Sequence, residues 1–346
     1  MKIHYDNLIY SLQRAGGIST YWSELTSRML RDEEDISFTE SVNHNLARKA
    51  LSIPASAIFQ NKNKQTLISR FQRIALPFHD DFIFHSSYNR ITSNPKARQV
   101  VTIHDFVHEK FYSGVRRYLH LHQKNKSING AAKIITVSEN TKRDLLDYHP
   151  QIPPENIAVI YNGVSEDFYP LAEKSPVTKP YLLFVGSRAY YKNFSFTIDL
   201  VKEQKEFDLF IVGSALNKKE EQTLNNKLGG RWKLFSGVDN AALNNIYNHA
   251  FALIYPSAYE GFGIPLLEAM KAGLPFIALN TSSIPEVAGA AGILIDGLDV
   301  EHFSKALETI NTQGQEIVAK GFLQAAKFSW EKSYAETKAV YQSLGL

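Results

Sequence analysis

Tyr255–Pro275 reads YPSAYEGFGIPLLEAMKAGLP. The apolar run from Ala250 to Tyr255 that leads into it has the length and composition of a buried strand. The loop after it carries Gly261, Gly263 and Pro265. Leu266-Leu267-Glu268-Ala269-Met270 then has helical spacing, closed by Gly273. Strand, glycine loop and helix start in that order make an anion site, because the first helical amides point outward and glycine lets a phosphate approach the chain. Glu260 and Glu268 bracket the loop, one before the helix and one about a turn inside it. Carboxylates do not bind phosphate, but they accept hydrogen bonds from hydroxyls on either side of one. A molecule with hydroxyls on both sides of a phosphate is a nucleotide sugar.

The same unit recurs along the chain. Tyr181–Val185 is a strand, followed by Gly186-Ser187-Arg188 and a helix from Asn193. Phe207–Val212 and Trp232–Phe235 are strands that end at Gly213-Ser214 and Gly237-Val238-Asp239. Phe276–Ala278 is one more. In the first half, Ile3–Tyr10, Asp81–His85, Gln99–Ile103, Ala131–Val137 and Ile157–Ile160 read as strands. Gly16-Gly17 opens a helical stretch that Ser19 or Thr20 can cap, and Ser138 can cap another. Residues 41–75, with Asn61-Lys62-Asn63-Lys64-Gln65, read as helix and loop without a motif. Strands alternating with helices predict an α/β protein with parallel sheets in both halves. At 346 residues two domains are expected, and Pro170, Pro176 and Pro180 mark residues 166–180 as the linker.

Composition narrows the function classes. With no cysteine, disulfides and thiolate metal sites are excluded. Met1–Asn7 holds no apolar core of signal-peptide length, and no run is long enough to span a bilayer, so a soluble, cytoplasmic protein is expected. Residues 1–165 carry a net charge of +6 and the remainder −3. A basic first half suits an anionic lipid, nucleic acid or phosphorylated partner, and equally a chance surface composition. Between Glu109 and Asn129, Tyr112, Arg116, Arg117, Tyr118, Lys124 and Lys126 interleave aromatic and basic groups, as on a membrane-surface helix or an ordinary solvated face. There is no dinucleotide fingerprint, since Leu266 stands where a third glycine is required, and no Walker motif or metal-ligand spacing.

Arg188 and Lys192 put two cations at a helix start, where the dipole disfavours them unless an anion lies nearby. Arginine can fork two oxygens of a diphosphate and lysine adds a mobile charge. His104-Asp105 ends the Gln99–Ile103 strand, where open parallel sheets meet ligands. Taken alone, that pair reads more readily as structural than as catalytic, since catalytic groups are a minority of histidines.

Together these segments carry a resemblance. Glu260–Glu268, EGFGIPLLE, resembles the Glu-x7-Glu signature of the family-4 retaining glycosyltransferases of GT-B fold, and is accompanied in order by Gly16-Gly17-Ile18-Ser19, Thr102–Asp105, Thr136–Thr141, Asn162-Gly163-Val164, Val185–Arg188 with Lys192-Asn193, and Ser283–Val287. The resemblance implies two Rossmann-like doubly wound domains facing across a cleft. Residues 1–168 would bind the acceptor, 169–328 the nucleotide sugar, and a helix in 329–346 would cross back to the first domain. It assigns Glu268 to the ribose hydroxyls and Glu260, with His104, to the transferred sugar at the reaction centre. It places Arg188, Lys192, Gly17, Gly186, Val238 and the amides of Phe262, Gly263 and Ile264 around the diphosphate and sugar. No metal or other cofactor is expected.

Tyr5-Asp6 and Asn280–Ser283 resemble a subgroup that builds bacterial surface polysaccharides, often from GDP-mannose onto a lipid-linked glycan, without nucleic acid and with contact to an anionic membrane. A nucleotide-sugar epimerase of the same fold and a silent nucleotide-sugar-binding protein are the competing readings.

Overall fold

The computed structural model describes residues 1–60, 71–172 and 178–345, apart from the Arg116 side chain. Asn61–Gln65 and Pro176 therefore lie outside the described residues. The chain forms two units, Met1–Gly163 with Trp330–Leu346, and Val164–Ser329.

Unit 1 contains β1 (Ile3–Tyr5), β2 (Ile36–Glu40), β3 (Ile58–Gln60), β4 (Phe82–Ser86), β5 (Ala97–Ile103), β6 (Lys133–Thr136) and β7 (Ile157–Val159). They form one parallel sheet in the order β3-β2-β1-β4-β5-β6-β7. Ile3, Phe82, Ile83, Phe84, Ile134 and Ile135 are fully buried, as strands covered by helices on both faces must be. Its described helices of five or more residues before the C-terminal segment are α1 (Gly17–Arg31), α2 (Val107–Phe111), α3 (Gly114–Asn129) and α4 (Glu139–Tyr148). Ser138 caps α4 by accepting the Thr141 amide at 3.0 Å. α1 differs from the expectation. Gly16 is its N-cap, and Ser19 and Thr20 lie inside the first turn with their hydroxyls donated back to the Gly16 carbonyl. Gly16 has no side chain there, and a Cβ on it would collide with Gln13 Oε1.

Unit 2 contains β8 (Tyr181–Val185), β9 (Asp208–Val212), β10 (Trp232–Phe235), β11 (Ala252–Tyr255), β12 (Phe276–Leu279) and β13 (Ile293–Ile295), again all parallel, in the order β10-β9-β8-β11-β12-β13. Its helices are α5 (Phe194–Glu203), α6 (Lys218–Leu228), α7 (Asn240–His249), α8 (Ile264–Ala272), α9 (Ile284–Ala288) and α10 (Val300–Ala325). Leu182, Phe184, Leu209, Ile211, Ile254 and Ile277 from the sheet pack with Ile198, Leu224, Phe303 and Leu307 from the helices. Each such side chain contributes roughly 1.5–3 kcal/mol of burial.

In both sheets the strand order reverses once, between β1 and β4 and between β8 and β11. In an open parallel sheet the two loops leaving such a reversal diverge to opposite faces and open a crevice at the strands' carboxyl ends. That singles out the loops after β8 and β11, residues 186–193 and 256–263.

The sequence reading missed β2, β3 and β13 and the helices α6, α9 and α10, the last of 26 residues. β3 falls in the stretch read as helix and loop. Residues 164–171 are not a free linker: the Tyr169 and Leu171 amides donate to Asn244 and Asn248 of α7, at 3.2 and 2.7 Å. The final helix, α11 (Trp330–Gln342), belongs to unit 1. Its Tyr341 hydroxyl sits between the Tyr5 hydroxyl (2.9 Å) and His85 Nδ1 (2.5 Å). Glu331 receives Arg28 and Arg31, and Tyr334 donates to Asp32. Among the described residues no helix is long and apolar enough to cross a membrane.

Candidate active site

The loop after β11 is built around Gly263. It caps α8 at φ 115°, a left-handed conformation that a Cβ would strain. Pro265 in the first helical turn needs no hydrogen-bond acceptor there. The start of α9 holds the loop from behind. The Ser283 hydroxyl lies against the carbonyls of Glu260 (2.9 Å) and Phe262 (2.8 Å), and Ser282 Oγ accepts the Glu260 amide at 2.9 Å. The Phe262 ring is buried, edge-on to Phe328. The fixed loop therefore presents the Glu260 side chain and the α8 N-terminus together.

The loop after β8 is fastened to this one. Asn193 adopts a left-handed conformation and donates to the Pro256 carbonyl at 2.8 Å, while the Tyr191 carbonyl accepts the Ala258 amide at 2.7 Å. Lys192 is thereby aimed at Glu260, and the two form a largely buried ion pair. The Lys192 ammonium also lies 5.6 Å from the centre of the Tyr255 ring. Burial and the Glu260 carboxylate push the Tyr255 hydroxyl well above its ordinary range, so it remains a neutral donor.

Glu268 sits in the second turn of α8. The Tyr247 hydroxyl, from α7, donates to its Oε2 at 2.8 Å. Burial raises the Glu268 carboxyl to about 7, the hydrogen bond from Tyr247 acting in the opposite direction. It therefore changes charge near neutral pH. Neither Tyr247 nor Tyr255 was singled out from sequence. Tyr255 was visible as the last residue of the strand, but nothing local marks Tyr247 as a partner of a residue 21 positions on.

Arg188 pairs with a different carboxylate from Lys192. Its guanidinium donates to Glu220 (2.8 and 3.3 Å) and to the carbonyls of Ser214 (3.0 Å) and Ala215 (2.8 Å), with the side chain only 5% exposed. Gly186 follows β8 at φ 125°, and Val238 lies half-buried between β10 and α7.

In unit 1, His104 follows β5. It lines a small cavity of about 70 Å³ with Ile18, Ser87, Asn89, His108 and Lys124. Burial lowers its imidazole to about 4, so the ring is neutral at physiological pH, and its Nε2 is buried without a hydrogen bond among the described residues. Asp105 does not orient it by the structural pairing anticipated from sequence: Asp105 Oδ1 accepts the Val107 amide at 3.0 Å. The Lys124 ammonium donates to the Asp105 carbonyl (2.7 Å) and to Glu109 (2.8 Å), and lies 3.6 Å from the Phe106 ring centre. Lys124 is thus a buried strut under the His104 loop and not part of a solvent-facing basic surface. Gly17, the first residue of α1, is exposed.

Two doubly wound parallel-sheet units, one with a glycine loop, a helix N-terminus, a lysine and two carboxylates at its topological switch, define a GT-B glycosyltransferase. The solved structures agree in fold. Sucrose-phosphate synthase from Thermosynechococcus elongatus superimposes with a TM-score of 0.75 at 16% identity over 99% of both chains. HepE from Anabaena, in complex with UDP-glucose, does so with a TM-score of 0.75 at 15% identity over 100% of this chain and 99% of that one. Residues 7–168 match the model of Glycosyltransferase Family 4, and residues 166–320 that of Glycosyl transferases group 1. O-antigen chain mannosyltransferase B of Escherichia coli is 31% identical over 301 residues, 80% of this chain and 78% of that one. O-antigen chain mannosyltransferase RfbU of Salmonella typhimurium is 27% identical over 223 residues, covering 61% and 60%. The chain belongs to glycosyltransferase family 4 and is a nucleotide-sugar hexosyltransferase.

Proposed function

We propose that this enzyme transfers mannose from GDP-mannose, with retention of configuration and without a metal, to a hydroxyl of a lipid-linked glycan in bacterial surface-polysaccharide synthesis. The observation that carries the reading is the Lys192–Glu260 pair at the β8/β11 switch, beside the α8 N-terminus. When the nucleoside diphosphate leaves, negative charge grows on phosphate oxygen and positive charge on the anomeric carbon. Lys192 and the helix dipole stabilise the first, supplying the positive charge for which other folds use a metal. Glu260 accepts hydroxyls of the sugar, and Glu268, once ionised, those of the ribose. The family resemblance assigns neutral His104 to the transferred sugar and Gly17 to the diphosphate. Mannose and the polysaccharide acceptor are supported by the names of the two O-antigen relatives.

A lipid-linked acceptor places the protein in the cytoplasm at the inner face of the membrane. The solvent face of α3 suits that location: Val115 is 73% exposed and Tyr118 68%, with Leu119 and Tyr112 beside them and Lys126 further along. Lys124 is buried, so a test of anionic-vesicle binding substitutes Tyr118, Leu119 and Lys126.

The enzyme is incubated with a panel of nucleotide sugars, with and without a glycan acceptor and with a chelator present. Acceptor-dependent release of GDP, with an α-linked mannosyl product seen by NMR, is the expected result. Isomerised donor without acceptor would make it an epimerase, and binding without turnover a silent receptor. Activity lost in chelator and restored by a divalent ion would overturn metal independence.

A further inference from the structure

Arg188 stands where the sequence suggests a diphosphate ligand, yet its guanidinium is engaged within unit 2. Of its five N–H groups, Nε and one on Nη2 go to the Glu220 carboxylate, a second on Nη2 goes to the Ala215 carbonyl, and one on Nη1 to the Ser214 carbonyl. Glu220 is itself tied down. It is the third residue of α6, accepts the Asn217 amide at 2.8 Å, and gives its own amide to Asn217 Oδ1 at 2.9 Å, a closed capping box. Arg188 holds its carboxyl below the usual carboxylate range. At the end of β9, a Cβ on Gly213 would fall 2.6 Å from the Gly186 carbonyl oxygen and 3.2 Å from Arg188 Nη1, so bare backbone is needed for these loops to lie together.

We propose that Arg188 and Glu220 form a clamp that fixes the loops after β8 and β9, that both are positioning residues, and that Lys192 is the side-chain cation that meets the diphosphate. The two cations differ in how easily they can turn to a new ligand. Reorienting Arg188 onto phosphate would strand a carboxylate and two carbonyls that it now satisfies. Lys192 has a flexible stem and a single carboxylate partner, Glu260. On the proposed function, on which this inference rests, Glu260 passes to the sugar hydroxyls when the donor enters, and Lys192 passes to the phosphates in the same exchange. The clamp keeps the Gly186 turn in the shape that aims Lys192.

The test is GDP and UDP binding by calorimetry, over a range of salt concentrations, to the wild type and to Arg188→Gln, Glu220→Gln, the double variant and Lys192→Gln. A cation that touches phosphate contributes to the salt dependence of affinity, whereas one that only shapes the site does not. Arg188→Gln and Glu220→Gln are each expected to weaken nucleoside diphosphate binding about five- to tenfold. The double variant should be no worse than the poorer single, and the salt slope should stay at the wild-type value. Lys192→Gln should flatten the slope. The clamp is overturned if Arg188→Gln flattens the slope as Lys192→Gln does, or if Glu220→Gln, by freeing the guanidinium, binds GDP as tightly as the wild type or tighter. Should Arg188→Gln fail to fold, the sign of the Glu220→Gln effect still decides. If the wild type binds no nucleoside diphosphate at all, the donor assignment falls instead. The clamp is then read from melting temperatures, where additive losses in the double variant would refute it.

Discussion

Tyr247→Phe removes one oxygen from the interior and isolates what the tyrosine does for Glu268. The ring is fully buried and its hydroxyl stands 2.8 Å from Glu268 Oε2. Phenylalanine fills the same space, so the lost quantity is the hydrogen bond. Hydrogen bonds to a charged group contribute about 1.5–3 kcal/mol, and the lower end applies because Glu268 retains some contact with solvent. The bond favours the ionised carboxylate, so its loss moves the Glu268 midpoint upward from about 7. On the proposed contact of Glu268 with the ribose, its ionised form accepts the hydroxyls best. Donor affinity in the wild type is therefore expected to rise with pH through about 7. In the variant the same rise occurs at higher pH, with affinity reduced about threefold near pH 7.5 and about tenfold near pH 6, where the loss reaches the full ~1.4 kcal/mol. At alkaline pH, where both proteins are ionised, the difference narrows. Calorimetric titration of GDP-mannose from pH 6 to 9.5 measures it. An unshifted midpoint, or a loss of affinity that persists unchanged at pH 9.5, would refute the electrostatic role and leave Tyr247 as a packing residue.

Three further outcomes are expected. Glu268 has a folded-state value above that of an unfolded carboxylate, so its contribution to the stability of the donor-free protein is complete below about 4.5 and is lost as pH rises through about 7; melting curves should show that decline, and Glu268→Gln should lessen it. Ser283→Ala removes a donor from the Glu260 and Phe262 carbonyls. It should lower unit 2 stability by ~1–2 kcal/mol, about 2–8 °C in melting temperature, and raise the donor KM more than it lowers kcat. Tyr341→Phe leaves His85 Nδ1 without its buried partner. It should destabilise unit 1 by about 1–3 kcal/mol with no change in the affinity of unit 2 for GDP, measured by thermal melts and calorimetry.

The parts of this protein legible in sequence are those whose physics is local. A buried strand such as Ala252–Tyr255 announces itself by apolar run length, and α8 by helical spacing between Gly263 and Gly273. Glu260 and Glu268 are bound to flank the loop because only a few residues separate each from it. Motif order carried the family. β3 and β13 are edge strands whose residues are only partly buried or exposed, and they exist as strands only through bonds to β2 and β12.

Side-chain partnership is where tertiary structure decided. Arg188 and Lys192 are four residues apart and read alike as cations for a diphosphate, but the helix that follows β9 brings Glu220 to the first, and the β11 loop brings Glu260 to the second. Lys124 reads as one more basic residue on an exposed helix, and its position under the His104 loop buries it against Glu109. The charge state of Glu268 likewise follows from what α7 and α8 pack around it, with Tyr247 supplied from 21 residues away. Hydrogen-bond range is about 3 Å, so which groups meet is set by how the strands are ordered in the sheet. Residue type and spacing pointed to candidate groups for a phosphate, a sugar and a ribose, and the fold decided which partner each of those groups meets.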